Sequence, residues 1–426
     1  MIPPTIKVLL VFTLILLLNR LKLNLGLSMT LGGLLMGFWF GLSPSESFVV
    51  GFSCLLQRDT LLLIWVVVMI VVLSGFMEKS GDTQSIVREL ANVIRSARVR
   101  MAMLPAIIGL LPMPGGAIFS APMVNACDGK SEIKPARKAA INYWFRHMWE
   151  YWWPLYPGVI LAFDLSGLEM WQFFSVQIPL TFISVTAGSL FLLRGLRITE
   201  AACTVRVKGS LFRLVYPIIP IILTISGTLI LYIFKENLPG KFFPISVALV
   251  PAIAWMHIKR NISLSEWKNV ARNKKIWGFV ILVIGIRLFS RILEADLSSG
   301  NIVAQVKQDM DSFHVSLLGI AILIPFLSGI ITGLAIGFVG ASFPIVMGLL
   351  SNLPPGQLMA YTMIAYASGY MGMLLSPVHI CLLVTNEYFS VRMSEAYRFL
   401  IRPVFLVLAG AFLFYYILVT FIAGSI

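Results

Sequence analysis

Apolar residues run through this chain in long stretches, broken by short polar links. Val8–Leu18, Leu61–Gly75 and Val404–Ile422 are the clearest, and they approach or reach the ~20 residues that cross ~30 Å of hydrocarbon. The pattern predicts membrane spans at about 4–18, 25–41, 60–77, 139–163, 171–193, 213–234, 242–257, 276–293, 356–385 and 403–424. Val8–Leu18 is followed by Asn19-Arg20-Leu21-Lys22 rather than small residues, so it reads as a span and not as a cleaved leader.

Two segments break the rhythm. Met101–Cys127 is apolar with basic residues on both flanks. It is too short to cross twice, and crossing once would put a basic flank on the outside. A re-entrant hairpin satisfies both constraints, with ~12-residue arms rising ~18 Å and a turn at Pro112-Met113-Pro114-Gly115-Gly116. His314–Ser351 is the second such segment, either a hairpin or two short spans. In both cases it returns to the side it left.

Composition agrees with the pattern. The chain is 58% hydrophobic and only 12% charged, about half the charge of a soluble protein. Most of the 33 Lys and Arg fall in alternate short links, so the net charge of +14 reads as positive-inside asymmetry rather than nucleic-acid binding. It predicts a cytoplasmic-membrane protein with both termini outside. Cys54, Cys127, Cys203 and Cys381 are far apart and show no metal or disulfide spacing, so neither a metal nor a cofactor is expected.

The halves echo one another. Ser120-Ala121-Pro122-Met123-Val124 returns as Ser342-Phe343-Pro344-Ile345-Val346, 222 residues later. Tyr143 and Pro154 return as Tyr366 and Pro377, 223 residues later. Matched Gly/Pro-broken segments in two halves are the best sequence pointer to a carrier's binding site. The predicted fold is therefore all-α and polytopic, built from two repeats of five spans plus one hairpin. Five is odd, so the repeats are inverted.

Broken backbone at membrane depth must face protein or a water-filled cavity. Four breaks qualify: Pro112–Gly116, Trp153–Gly158, Thr332–Ser342 and Ser376–His379. They nominate Pro114, Gly115, Gly116, Ser120, Trp153, Pro154, Tyr156, Thr332, Gly340, Ser342, Ser376 and Pro377 as substrate-binding residues, with half-helix amides suited to an anion. Ionisable residues within spans are costly and mark function. His147, Glu150 and His379 are the candidates for coupling to H+ or Na+, and Arg146 and Glu150, four residues apart, for a structural ion pair. Arg287 sits toward the end of its span, where snorkelling is expected. Trp144 and Trp149 read as an interfacial belt, while Trp152 and Trp153 flank the break, as one wall of the site or as packing against the hairpin. Asp82–Arg100 is amphipathic and reads as an interfacial arm before the first hairpin, with a counterpart near Leu297–Ser312.

The run Leu111–Val124, with Phe145–Glu150 and Pro154–Gly158, resembles domain of unknown function 401, a family of prokaryotic integral membrane proteins. The family is grouped with the ion transporter superfamily, whose relatives include dicarboxylate, citrate, gluconate and lactate carriers and Na+/H+ antiporters. The resemblance implies a homodimer and an elevator mechanism. Its moving domain would comprise 79–165 and 294–388, and its scaffold 1–78, 166–293 and 389–426. The Ser-Asn-Thr tripeptide of the dicarboxylate branch is absent here, so substrate identity and Na+ coupling do not transfer. The leading expectation is a secondary carrier for a small organic anion, with a cation/proton antiporter as the alternative. An intramembrane enzyme is disfavoured by the lack of HExxH, GxSxG or paired aspartates.

Overall fold

The computed structural model describes residues 2–94, 96–110, 116–128, 132–196, 211–234, 238–297 and 300–422. Every element among them is helical. The first half comprises α1 (Pro4–Arg20), α2 (Leu25–Trp39), α3 (Pro44–Phe52), α4 (Arg58–Lys79), α5 (Asp82–Val93), α6 (Ala97–Ile108), α7 (Ala117–Ala126), α8 (Pro135–Arg146), α9 (Pro157–Ser166) and α10 (Met170–Gly188). The second comprises α11 (Leu211–Ile233), α12 (Phe243–Lys259), α13 (Leu264–Ala271), α14 (Lys274–Leu293), α15 (Ile302–Ser312), α16 (Leu317–Thr332), α17 (Ala335–Leu350), α18 (Pro355–Leu374), α19 (Ile380–Tyr388) and α20 (Met393–Ile417).

Five helices among the described residues are long and apolar enough to cross a membrane: Arg58–Lys79, Met170–Leu193, Val215–Ile233, Lys274–Leu293 and Met393–Phe421. The pair α15–α16, bent by 118°, makes a sixth if counted as one. The sequence predicts ten spans. The unbroken helices α1, α2 and α12 are only 15–17 residues long, and backbone breaks divide two further apolar runs. The run at 139–163 becomes α8 and α9, and that at 356–385 becomes α18 and α19. α8, α9 and α19, of 9–12 residues, are too short to span alone.

Both expected hairpins consist of paired short helices. In the second, α16 and α17 pack together and are joined by Gly333 and Leu334. Gly333 takes φ +62°, open to glycine without strain, and ends α16. Each arm has 16 residues, rising ~24 Å, short of the hydrocarbon thickness. In the first, α6 packs on α7. Its predicted turn, including Pro114 and Gly115, lies outside the described residues, and Gly116 opens α7. The arms before the hairpins appear as α5 and α15, both amphipathic.

Capping chemistry is duplicated. Ser43 accepts from the Glu46 amide while the Glu46 carboxylate accepts from the Ser43 amide, starting α3. Ser263 and Glu266 do the same for α13. Bonds from the Ser263 amide and hydroxyl hold the Glu266 carboxyl below its ordinary range.

Close helix approach also recurs. α6 lies so tightly on α8 that a Cβ on Gly109 would stand 1.9 Å from the Arg146 carbonyl oxygen. α16 lies on α18 in the same way, with a Cβ on Gly329 falling 2.1 Å from the Gly369 carbonyl oxygen.

Candidate functional site

α8 ends at Arg146 and α9 starts at Pro157, so the intervening turns leave main-chain groups without helical partners in the protein interior. α18 ends at Leu374 and α19 starts at Ile380, with the same result. Tyrosines from the opposite break satisfy these groups. Tyr366 of α18 donates to the Glu150 carbonyl at 2.5 Å, and Tyr143 of α8 donates to the Leu374 carbonyl at 3.1 Å. Tyr370 adds a bond to the His147 carbonyl. All three tyrosines are fully buried. Tyr143→Phe and Tyr366→Phe should therefore each lose about 1–3 kcal/mol by stranding a buried carbonyl. Chemical and thermal unfolding should give similar losses for the two. An unaffected Tyr366→Phe would mean that the bond has no structural role.

Between the breaks lies a buried polar cluster. His147 and His379 face one another with their Nε2 atoms 3.1 Å apart. His147 Nδ1 lies 2.6 Å from the Tyr143 carbonyl oxygen, and a Glu150 carboxylate oxygen lies 3.8 Å from His147 Nε2. Cys381 completes the group, with its sulfur and the two imidazoles offering ligand atoms within 4.8 Å of one another. Arg146 is buried beneath the first hairpin, where a Cβ on Gly116 would stand 2.7 Å from its Nη2.

The three coupling candidates read from the sequence, His147, Glu150 and His379, thus meet in space. Arg146 and Glu150, read as an ion pair, interact through their charges; His147 stands 3.8 Å from the Glu150 carboxylate, and Arg146 lies under Gly116. Tyr156 donates to the Gly109 carbonyl at 2.5 Å, fastening the break to the hairpin. Ser376 donates to the Ile330 carbonyl at 2.6 Å, and its hydroxyl also approaches the Gly333 turn. Pro377 is exposed on the same turn.

The other hydroxyls are taken up locally. Ser120 donates to the Ala117 carbonyl, Ser342 to that of Phe338 and Thr332 to that of Ser328. Gly340 faces Ile286 of α14 rather than the cluster. Trp153 lines an apolar cavity of about 360 Å³ with Ile107, Leu110 and isoleucines of α11, and Pro154 lines a smaller apolar crevice beside Phe163 and Lys241.

Two readings of side-chain role change. Trp144 is no interfacial belt residue: it is buried, and its indole donates to the Ser184 carbonyl at 3.0 Å. Arg287 does not snorkel. Its guanidinium pairs with buried Asp164 at 2.8 Å, and Lys241 pairs with the same carboxylate at 3.1 Å. Cys381 was invisible to sequence spacing because its partners arrive from both breaks, although it stands only two positions after His379.

The family model described as protein of unknown function (DUF401) matches residues 5–418. The chain belongs to this family. No curated protein matches it. For this DUF401 member, the run of apolar helices marks a membrane protein. Its broken helices hold the polar cluster in the interior.

Proposed function

We propose that the chain is a secondary active transporter for a small, carboxylate-like organic anion, working by elevator-type alternating access and driven by H+ or Na+. The observation that carries this reading is the convergence of two broken helices and two hairpins on one buried polar cluster. A bilayer protein keeps irregular backbone at depth only where it is enclosed by protein or lines a cavity.

The halves correspond element by element, α1–α10 with α11–α20, which supports the inverted repeat. The paired capping boxes, the Gly109 and Gly329 contacts and the exchanged tyrosine bonds fall at matching places. The moving domain would comprise 79–165 and 294–388, the scaffold the remainder, in a homodimer of the cytoplasmic membrane with both termini outside.

Anionic cargo is favoured by Arg146 and by short-helix N-termini at α7, α9, α17 and α19. A Cβ on Gly158 of α9 would stand 2.9 Å from the Ile336 amide nitrogen of α17, so two of those N-termini abut. The second reading, a cation/proton antiporter, draws on Glu150 beside His147. It ranks lower because Asp164 is already neutralised by two cations.

The test is thermal unfolding of purified protein against small carboxylates, sugar acids and phosphate esters, with and without Na+. A bound ligand at a hundred times its dissociation constant adds about 2.7 kcal/mol. Glu150→Gln separates the two readings: loss of proton-driven exchange with no effect on organic-anion binding would favour the antiporter. Stabilisation by cations alone, with no response to any organic anion, would overturn the carrier in favour of the antiporter.

A further inference from the structure

His147, His379 and Cys381 come together only because the two breaks meet. All three are buried, and their ligand atoms lie within 4.8 Å of one another. Two nitrogens bound to one tetrahedral zinc ion at ~2.05 Å stand ~3.3 Å apart. The two imidazole Nε2 atoms are 3.1 Å apart, at hydrogen-bond distance without a metal and close to the separation that a shared ion imposes.

A second, independent observation lies behind His147. Its Nδ1 is 2.6 Å from the Tyr143 carbonyl oxygen, which keeps the proton on Nδ1 and leaves the Nε2 lone pair facing His379. That backing by a main-chain carbonyl is the outer-shell arrangement of metal-binding histidines. His379 Nδ1 is buried and has no hydrogen-bond partner among the described residues. Glu150 brings a carboxylate oxygen to 3.8 Å from His147 Nε2.

We propose that His147, His379 and Cys381 bind a borderline-soft transition-metal ion of the zinc class. Two imidazoles and a thiolate select such an ion over Na+, Mg2+ or Ca2+. On binding, the Cys381 thiol loses its proton to solvent and the sulfur forms the metal bond. The thiolate offsets part of the divalent charge, and the Glu150 carboxylate lies beside His147. Pro377, Val378 and Ile380, next to His379, are exposed on the protein surface. The ion would join His147 of the first break to His379 and Cys381 of the second. The inference stands on this geometry and does not require the carrier reading.

The test is Co2+ titration of the full chain, purified in detergent, stripped with chelator and kept reduced. One ion per chain should bind, with thiolate-to-cobalt charge-transfer absorption and the ligand-field bands of a tetrahedral site. Zn2+ should displace it. Cys381→Ser should abolish the charge-transfer band. A chain in which Cys54, Cys127 and Cys203 are replaced by serine should retain it. His147→Gln and His379→Gln should each weaken binding at least about tenfold, the lower limit for loss of even an outer-shell partner. Absence of a thiolate band in the unaltered chain overturns the proposal, whatever the variants do. So does a band that persists in Cys381→Ser, or an affinity that neither histidine variant changes.

Discussion

Asp164→Asn should destabilise the protein by about 3 kcal/mol, near the lower end of the range for breaking a buried ion pair. Asp164 is almost wholly buried, its side chain 1% exposed, and it neutralises both Arg287 and Lys241. Asparagine keeps the shape and removes the charge, leaving two cations facing one another. Their side chains are 18% and 31% exposed, so water screens part of the loss and the lower end applies. Lys241→Met should cost less, because Arg287 still balances the carboxylate. Unfolding of the purified protein followed by tryptophan fluorescence separates the two. Equal losses, or none for Asp164→Asn, would contradict this account. Asp164 falls in the proposed moving domain and its two partners in the proposed scaffold. The same variant therefore tests whether that contact holds one conformation: in a carrier, weakening it should also change the balance between inward- and outward-open forms.

Gly109→Ala is the second substitution with a large expected effect. The added methyl would stand 1.9 Å from the Arg146 carbonyl oxygen, well inside contact distance, and the obstacle is main chain. α6 must then move away from α8 by more than an ångström, disturbing the Tyr156 bond to the Gly109 carbonyl. Overpacking of this kind costs about 3 kcal/mol at the upper end of its usual range. Gly329→Ala should behave alike, since its methyl would stand 2.1 Å from the Gly369 carbonyl oxygen. Gly75→Ala, with nothing within 4 Å of the added atom and inside α4, is the control and should not lower stability. A wild-type unfolding temperature for Gly109→Ala would show that the helices are not in close contact in the membrane.

The breaks were legible because proline and glycine act locally. Pro154, Pro157, Gly333 and Pro377 interrupt helices wherever the rest of the chain lies. Aligning the halves paired Tyr143 with Tyr366, and those residues do perform the same task. What each break touches was not legible. Repeat alignment sets His147 opposite Tyr370 and His379 opposite Tyr156, yet the two histidines meet each other. Side-chain type alone misplaced Trp144, whose indole finds its acceptor inside the protein instead of at a membrane interface. Arg287 was misjudged because its counter-charge, Asp164, is more than a hundred residues away. The serine hydroxyls read as ligands had nearer acceptors one helical turn back, as at Ser342.

The exchanged tyrosines bear on how such a molecule can open. Each break is held by a side chain rooted in the other, so neither broken helix can swing alone without stranding a buried carbonyl. In the proposed carrier the pair would act as a keystone, travelling whole or staying put while the surrounding helices slide or tilt past it. The gate of such a carrier would lie along that outer boundary.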